Sequence, residues 1–159
     1  MKKLVNWKVL ILSFIIVFGF LAGLGSLVMD NGPNTSWYES IKPAITPPGW
    51  VFPIAWNLLF ILIAFSLYFV WTSAKKKEDK NKIIWAFSAN FILNVLWSLF
   101  FFGMKNPLLG FMDIILVWFT IVIMIFVSGK MSKKAAWLLV PYLLWVSFAS
   151  VLNGLIVFG

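Results

Sequence analysis

Three stripes of amide and aromatic side chains carry the chemistry for which this chain is equipped. Asn90, Asn94, Trp97 and Phe101 recur at i, i+4, i+7 and i+11, which places them on one face of a helix. Trp50, Pro53, Asn57 and Phe60 share a second face with Trp56 beside it, and Trp137, Pro141, Trp145, Ala149 and Asn153 form a four-residue ladder. Indole faces stack on flat apolar molecules, and amides hydrogen-bond their polar edges. A single Asn in an apolar run ordinarily joins helices, a contribution of about 0.6 kcal/mol. Three such stripes together point instead to a ligand site.

The chain has no Cys, no His and no Arg. Structural zinc, haem ligation through imidazole or thiolate, and the usual hydrolytic triads all need residues that are missing here. Asp113 is the only acidic residue within a predicted span, and one carboxylate without a second acid or a His is poor equipment for hydrolysis or redox work. It reads as a hydrogen-bond acceptor to neighbouring helices. No metal site and no required cofactor are expected, and no residue is firmly catalytic.

The elements that must position these stripes are membrane helices. The chain is 62% hydrophobic and only 11% charged, whereas a soluble domain is about half apolar and a quarter charged. Apolar runs near twenty residues recur along its length, each long enough for a hydrocarbon core of about 30 Å. The expected fold is an all-α integral membrane bundle of five transmembrane helices, one domain over 1–159, with spans at 8–29, 47–72, 83–103, 108–128 and 134–158. The first span has a basic start and small residues from Ala22 to Ser26, like a signal peptide. Its apolar core is too long for one, and it reads as a retained helix.

The one long connection, 30–46, leads into the segment of greatest aromatic density. Between Trp37 and Trp56 lie three Trp and four Pro. Pro43 and the pair Pro47–Pro48 cannot sit inside a regular helix, although Pro47–Pro48 could occupy a first turn. The segment reads as a stiff aromatic lid entering a helix near Pro47. Lysine placement sets the orientation. Eleven of the thirteen Lys (Lys2, Lys3, Lys8, Lys75, Lys76, Lys77, Lys80, Lys82, Lys130, Lys133 and Lys134) fall on one side, and only Lys42 and Lys105 on the other. That bias puts the N-terminus in the cytoplasm and the C-terminus and lid outside, and it explains the net charge of +8 without nucleic acid. At about 1.5 Å per residue, Trp50, Trp97, Asp113 and Asn153 then lie in the outer third and Trp56, Asn94 and Trp145 near the midplane. A cavity in the outer half, covered by the lid, is the expectation. Trp7, Trp71, Trp85 and Trp137 fall near span ends as interfacial anchors, while Trp118 lies off the stripes, facing lipid or packing. Gly19 and Gly23 form a GxxxG pair that suggests a homodimer.

The run W-Y-x-x-I-K-P-x-x-x-P-P-G-W-x-F-P-I-x-W-x-x-L-F from Trp37 to Phe60 closely resembles the first-loop and second-helix signature of the translocator protein/tryptophan-rich sensory protein family, also called the peripheral-type benzodiazepine receptor family. N-F-I-L-N-V-L-W-S-L-F-F-F-G from Asn90 to Gly103 and P-Y-L-L-W-V-S-F-A-S-V-L-N from Pro141 to Asn153 extend the resemblance to essentially the whole chain. It implies a five-helix bundle whose outer half binds tetrapyrroles such as protoporphyrin IX and synthetic isoquinoline carboxamides. The positions it assigns to the pocket are Trp37, Trp50, Trp56, Asn90, Asn94, Trp97, Trp145, Phe148 and Ala149. Cholesterol recognition does not carry over, because the tail after Val151 has neither the Tyr nor the Arg of that motif.

The leading expectation is therefore a receptor or carrier for porphyrin-type ligands in the cell membrane, linked to tetrapyrrole homeostasis or stress, with Lys42 near the mouth available to a propionate. The resemblance also offers a light- and oxygen-dependent breakdown of porphyrin, with Trp56 and Trp145 as the candidate catalytic groups. A third reading is a regulatory partner protein switched by ligand, whose contact would be the Lys75–Lys82 loop. Coupled transport has little support, since no chain of ionisable groups runs through the spans.

Overall fold

The computed structural model describes residues 4–159, so Lys2 and Lys3 lie outside the described residues. It is all-helical, with no strand among the described residues, and five stretches are long and apolar enough to cross a membrane: Trp7–Asn34, Val51–Ser73, Lys77–Gly103, Pro107–Gly129 and Lys133–Phe158. The local elements are α1 (Trp7–Val17), a π-helical segment (Phe18–Leu24), α2 (Gly25–Val28), a 3-10 turn (Gly32–Asn34), α3 (Ser36–Ile41), α4 (Val51–Ser73), α5 (Lys77–Ser98), a second π segment (Leu99–Gly103), α6 (Pro107–Gly129), α7 (Lys133–Leu138) and α8 (Val140–Phe158).

Side-chain caps fix several of the starts. Asn6, Asn106 and Ser132 accept hydrogen bonds from the backbone N–H groups of Val9, Leu109 and Ala135, satisfying donors that a first turn leaves free. Pro107 occupies the first turn of α6, where its missing N–H costs nothing. Near Pro141 the fifth span is interrupted at Leu139, because a prolyl nitrogen cannot donate back to the preceding turn.

The structure corrects two of the expected boundaries. The second span begins at Val51 rather than Pro47, because Pro48 to Val51 closes a separate turn, with Val51 N donating to Pro48 O at 3.0 Å. The first-turn prolyl is Pro53 instead. The long connection also holds a short helix, α3, started by Thr35 accepting from Tyr38 N at 3.2 Å and ended before Pro43.

The two halves of the bundle are built differently. At the end where the lysine-rich connections lie, Ile63, Val70, Ile83, Ile121, Met124 and Leu139 are fully or almost fully buried in a continuous core. Ser66 Oγ donates to Ala135 O at 2.8 Å there, joining the second and fifth spans. Lysines at this end lie over aromatic rings, Lys80 over Trp71 at 5.1 Å and Lys134 over Phe69 at 4.8 Å. Trp7, Trp85 and Trp137 are exposed near span ends, whereas Trp71 packs against the core. Toward the end bearing α3, the same helices enclose a cavity rather than a core.

Candidate functional site

The cavity has a volume of about 480 Å³, within the range of about 300–1,000 Å³ usual for small-molecule sites. Its walls come from the first, second, third and fifth spans and from the segment Asp30–Asn34 with Tyr38. Five of the residues expected at the site line it together: Trp56, Asn94, Trp97, Trp145 and Ala149. The rings of Trp56 and Trp145 meet edge to face at 6.4 Å, and Trp97 stacks on Phe101 at 5.3 Å with an interplanar angle of 15°. The cavity thus has aromatic faces on three helices.

The other four expected residues lie elsewhere. Trp50 stands at the start of α4, 67% exposed and outside the lining, because the helix begins one residue after it. Trp37 packs against Phe101 at 5.7 Å, and Phe148 lies behind Trp145 at 6.0 Å. Asn90 is 0% exposed and sits below the cavity. Lys42 does not line the mouth, since its Nζ pairs with Glu39 Oε2 at 2.7 Å. Trp118, left open by the sequence, packs against the core and donates to Ser147 Oγ at 2.8 Å.

A buried relay forms the floor. Thr120 Oγ1 donates to Val117 O at 2.7 Å and accepts from Asn90 Nδ2 at 3.0 Å. Asn90 Oδ1 therefore faces Tyr142 and accepts its hydroxyl at 2.9 Å, and the Tyr142 oxygen accepts from Asn94 Nδ2 at 2.8 Å. Each bond dictates the direction of the next, because a phenol has one proton to give. The carbonyl oxygen of Asn94 is thereby turned away from the relay. A second clamp joins three spans: Trp97 Nε1 donates to Asn153 Oδ1 at 3.1 Å, and Asn153 Nδ2 donates to Pro107 O at 3.0 Å. Trp145 Nε1 is buried with no protein acceptor, turned away from the cavity space that its ring lines.

The lid is fastened to the third span. Tyr38, 4% exposed, packs edge to face on Phe102 at 5.5 Å and on Phe101 at 6.1 Å. Burial pushes the Tyr38 phenol above its ordinary range, the Thr46 hydroxyl offsetting part of this and Glu39 adding to it. It stays neutral at physiological pH.

Several lining residues had no place in the sequence reading of the site. Ala22, Gly25 and Ser26 of the first span line the cavity, as do Phe52, Phe102 and Asp30. The spacing of Ala22, Gly25 and Ser26, small residues on one helical face, was the available signal. The π segments were not legible, and they bring Leu21, Phe101 and Phe102 to the wall. Among the described residues no group of His, Cys, Asp or Glu could hold a metal ion.

Residues 11–158 match the model of the TspO/MBR family. The chain is 40% identical over 150 residues to the tryptophan-rich protein TspO of Chlorobaculum tepidum, covering 93% of this chain and 94% of that one. It is 30% identical over 149 residues to the tryptophan-rich sensory protein of Cereibacter sphaeroides, covering 93% and 89%. To the human translocator protein it is 29% identical over 125 residues, covering 77% and 74%.

Proposed function

This chain belongs to the TspO/MBR family, and from that premise we propose that it is a membrane receptor or carrier for porphyrin-type tetrapyrroles, protoporphyrin IX among them, and for isoquinoline carboxamide-type ligands. The observation that carries the reading is a cavity of about 480 Å³ with indole faces on three spans. Beneath it the bundle is closed by the Asn94–Tyr142–Asn90 relay and the packed core. A hollow with a closed floor supports holding a ligand rather than conducting one. The reading is tested by titrating the protein in nanodiscs with protoporphyrin IX in the dark, following tryptophan quenching and the Soret band. A saturable one-site isotherm is expected; a signal that only scales with lipid concentration would contradict it.

The lysine asymmetry supports a cell-membrane protein with its N-terminus in the cytoplasm and the lid outside. The chain has no Cys, so single cysteines introduced at Ser40 and Glu78 give a clean topology test. An impermeant thiol reagent applied to intact cells should label the first and spare the second; the reverse pattern would invert the orientation.

A homodimer through the first span is part of the same reading. Gly19 and Gly23 are exposed, and a Cβ at Gly19 would meet nothing within 4 Å, so this small-residue face is open to a second helix. The expected result is a dimer by light scattering in detergent, converted to monomer by Gly19→Leu with Gly23→Leu. A dimer that survives both substitutions places the interface elsewhere.

A further inference from the structure

We propose that the cavity selects a ligand whose polar edge is neutral or cationic, and that Asp30 enforces this choice by repelling carboxylates at the mouth. This rests on the tetrapyrrole reading above and narrows it: the preferred macrocycle is not one that presents free propionates to the mouth.

Charge is the first argument. Asp30 is the one charged side chain among the described residues that line the cavity. Neither lysine at this end belongs to the lining beside it. Lys42 is committed to Glu39 at 2.7 Å, and neither Lys42 nor Lys105 reaches the lining. The neighbouring mouth residues Asn31 and Asn34 are neutral amides. An incoming dicarboxylate would therefore meet a like charge with no cation among the lining residues.

The uncharged groups deeper in bring no cation to the cavity. Asn94 spends an N–H on Tyr142, which leaves its carbonyl oxygen free. Asn57 Nδ2 is tied to Pro53 O at 2.8 Å, and the Ser26 hydroxyl donates to Gly23 O at 2.9 Å. Both side chains therefore offer the cavity an oxygen lone pair. Beside these acceptors the second N–H of each amide can serve a neutral carbonyl as well as a carboxylate. Such amides serve pyrrole N–H and carbonyl groups alike, so the sign of charge at the mouth decides between ligand forms.

Two like charges at contact distance in water cost about fivefold in affinity, and more where low-dielectric walls focus the field. The test compares protoporphyrin IX with its dimethyl ester, each titrated in the dark into wild type and Asp30→Asn in the same nanodiscs. Lipid partitioning differs between the two probes but is common to the two proteins, so it cancels in the ratio of ratios. Asp30 sits at φ 55, a left-handed conformation that Asn also tolerates, so the variant should melt with wild type. The expected result is that the acid gains about fivefold on Asp30→Asn while the ester is unchanged. An ester-to-acid ratio that stays within about twofold would overturn the role of Asp30 and leave the tetrapyrrole reading standing. Saturable binding of neither probe would overturn both.

Discussion

Trp56→Ala should weaken binding of protoporphyrin IX by at least about tenfold while barely changing the melting temperature, and Asn90→Ala should do the reverse. Trp56 forms part of the cavity wall and meets Trp145 edge to face at 6.4 Å, so truncating it removes stacking surface that a ligand would use. Aromatic contacts contribute about 0.5–1.5 kcal/mol beyond their area burial, and tenfold in affinity is about 1.4 kcal/mol. Asn90 touches no ligand space. It is fully buried and bonded to Tyr142, Thr120 and Val117, and its loss leaves the Tyr142 hydroxyl without an acceptor. An orphaned buried group costs about 1–3 kcal/mol. Equal losses of affinity from both variants would mean that the ligand sits deeper than the cavity or that the relay is not a floor.

Gly103→Ala should destabilise the protein, against the ordinary trend for helices. Replacing Gly by Ala inside a helix normally stabilises by about 1 kcal/mol. Here a Cβ at Gly103 would fall on the carbonyl oxygen of Val28, backbone that cannot swing aside, with Leu99 Cδ1 a further 3.2 Å neighbour. The end of the third span therefore has to retreat from the end of the first, which carries Gly25, Ser26 and Met29 of the cavity wall. Overpacking of this kind costs about 1–3 kcal/mol, so both the melting temperature and porphyrin affinity should fall. Gly129→Ala, where the added atom meets only Ala136 Cβ at an ordinary 3.7 Å, is the control and should melt at or above wild type. A Gly103→Ala protein as stable as that control would refute the close approach.

Membrane helices announce themselves by long apolar runs, so the five spans were legible from the sequence. Periodicity put Asn94, Trp97, Trp145 and Ala149 on faces that do converge, because side chains four residues apart on a regular helix share a face whatever surrounds them. It misplaced what depends on local breaks. Trp50 belonged to the same stripe as Asn57 by spacing, yet the helix begins only at Val51 and leaves Trp50 outside. Asn90 shared a stripe with Asn94, but a stripe does not report depth, and one turn separates the cavity wall from the buried relay. The π segments at Phe18–Leu24 and Leu99–Gly103 are set by tertiary packing and follow no residue period that could be read in advance. The same holds for Lys42. It looked free beside an aromatic lid until α3 placed Glu39 within 2.7 Å of it.

The central claim is that the hollow between the lid and the Asn94–Tyr142 floor is the ligand site. Determining the structure of the protein loaded in the dark with protoporphyrin IX dimethyl ester tests it most directly. The account predicts a macrocycle against Trp56 and Trp97, with its ester arms directed past Asp30. A macrocycle bound on the lipid-facing surface, with the hollow empty, would contradict it.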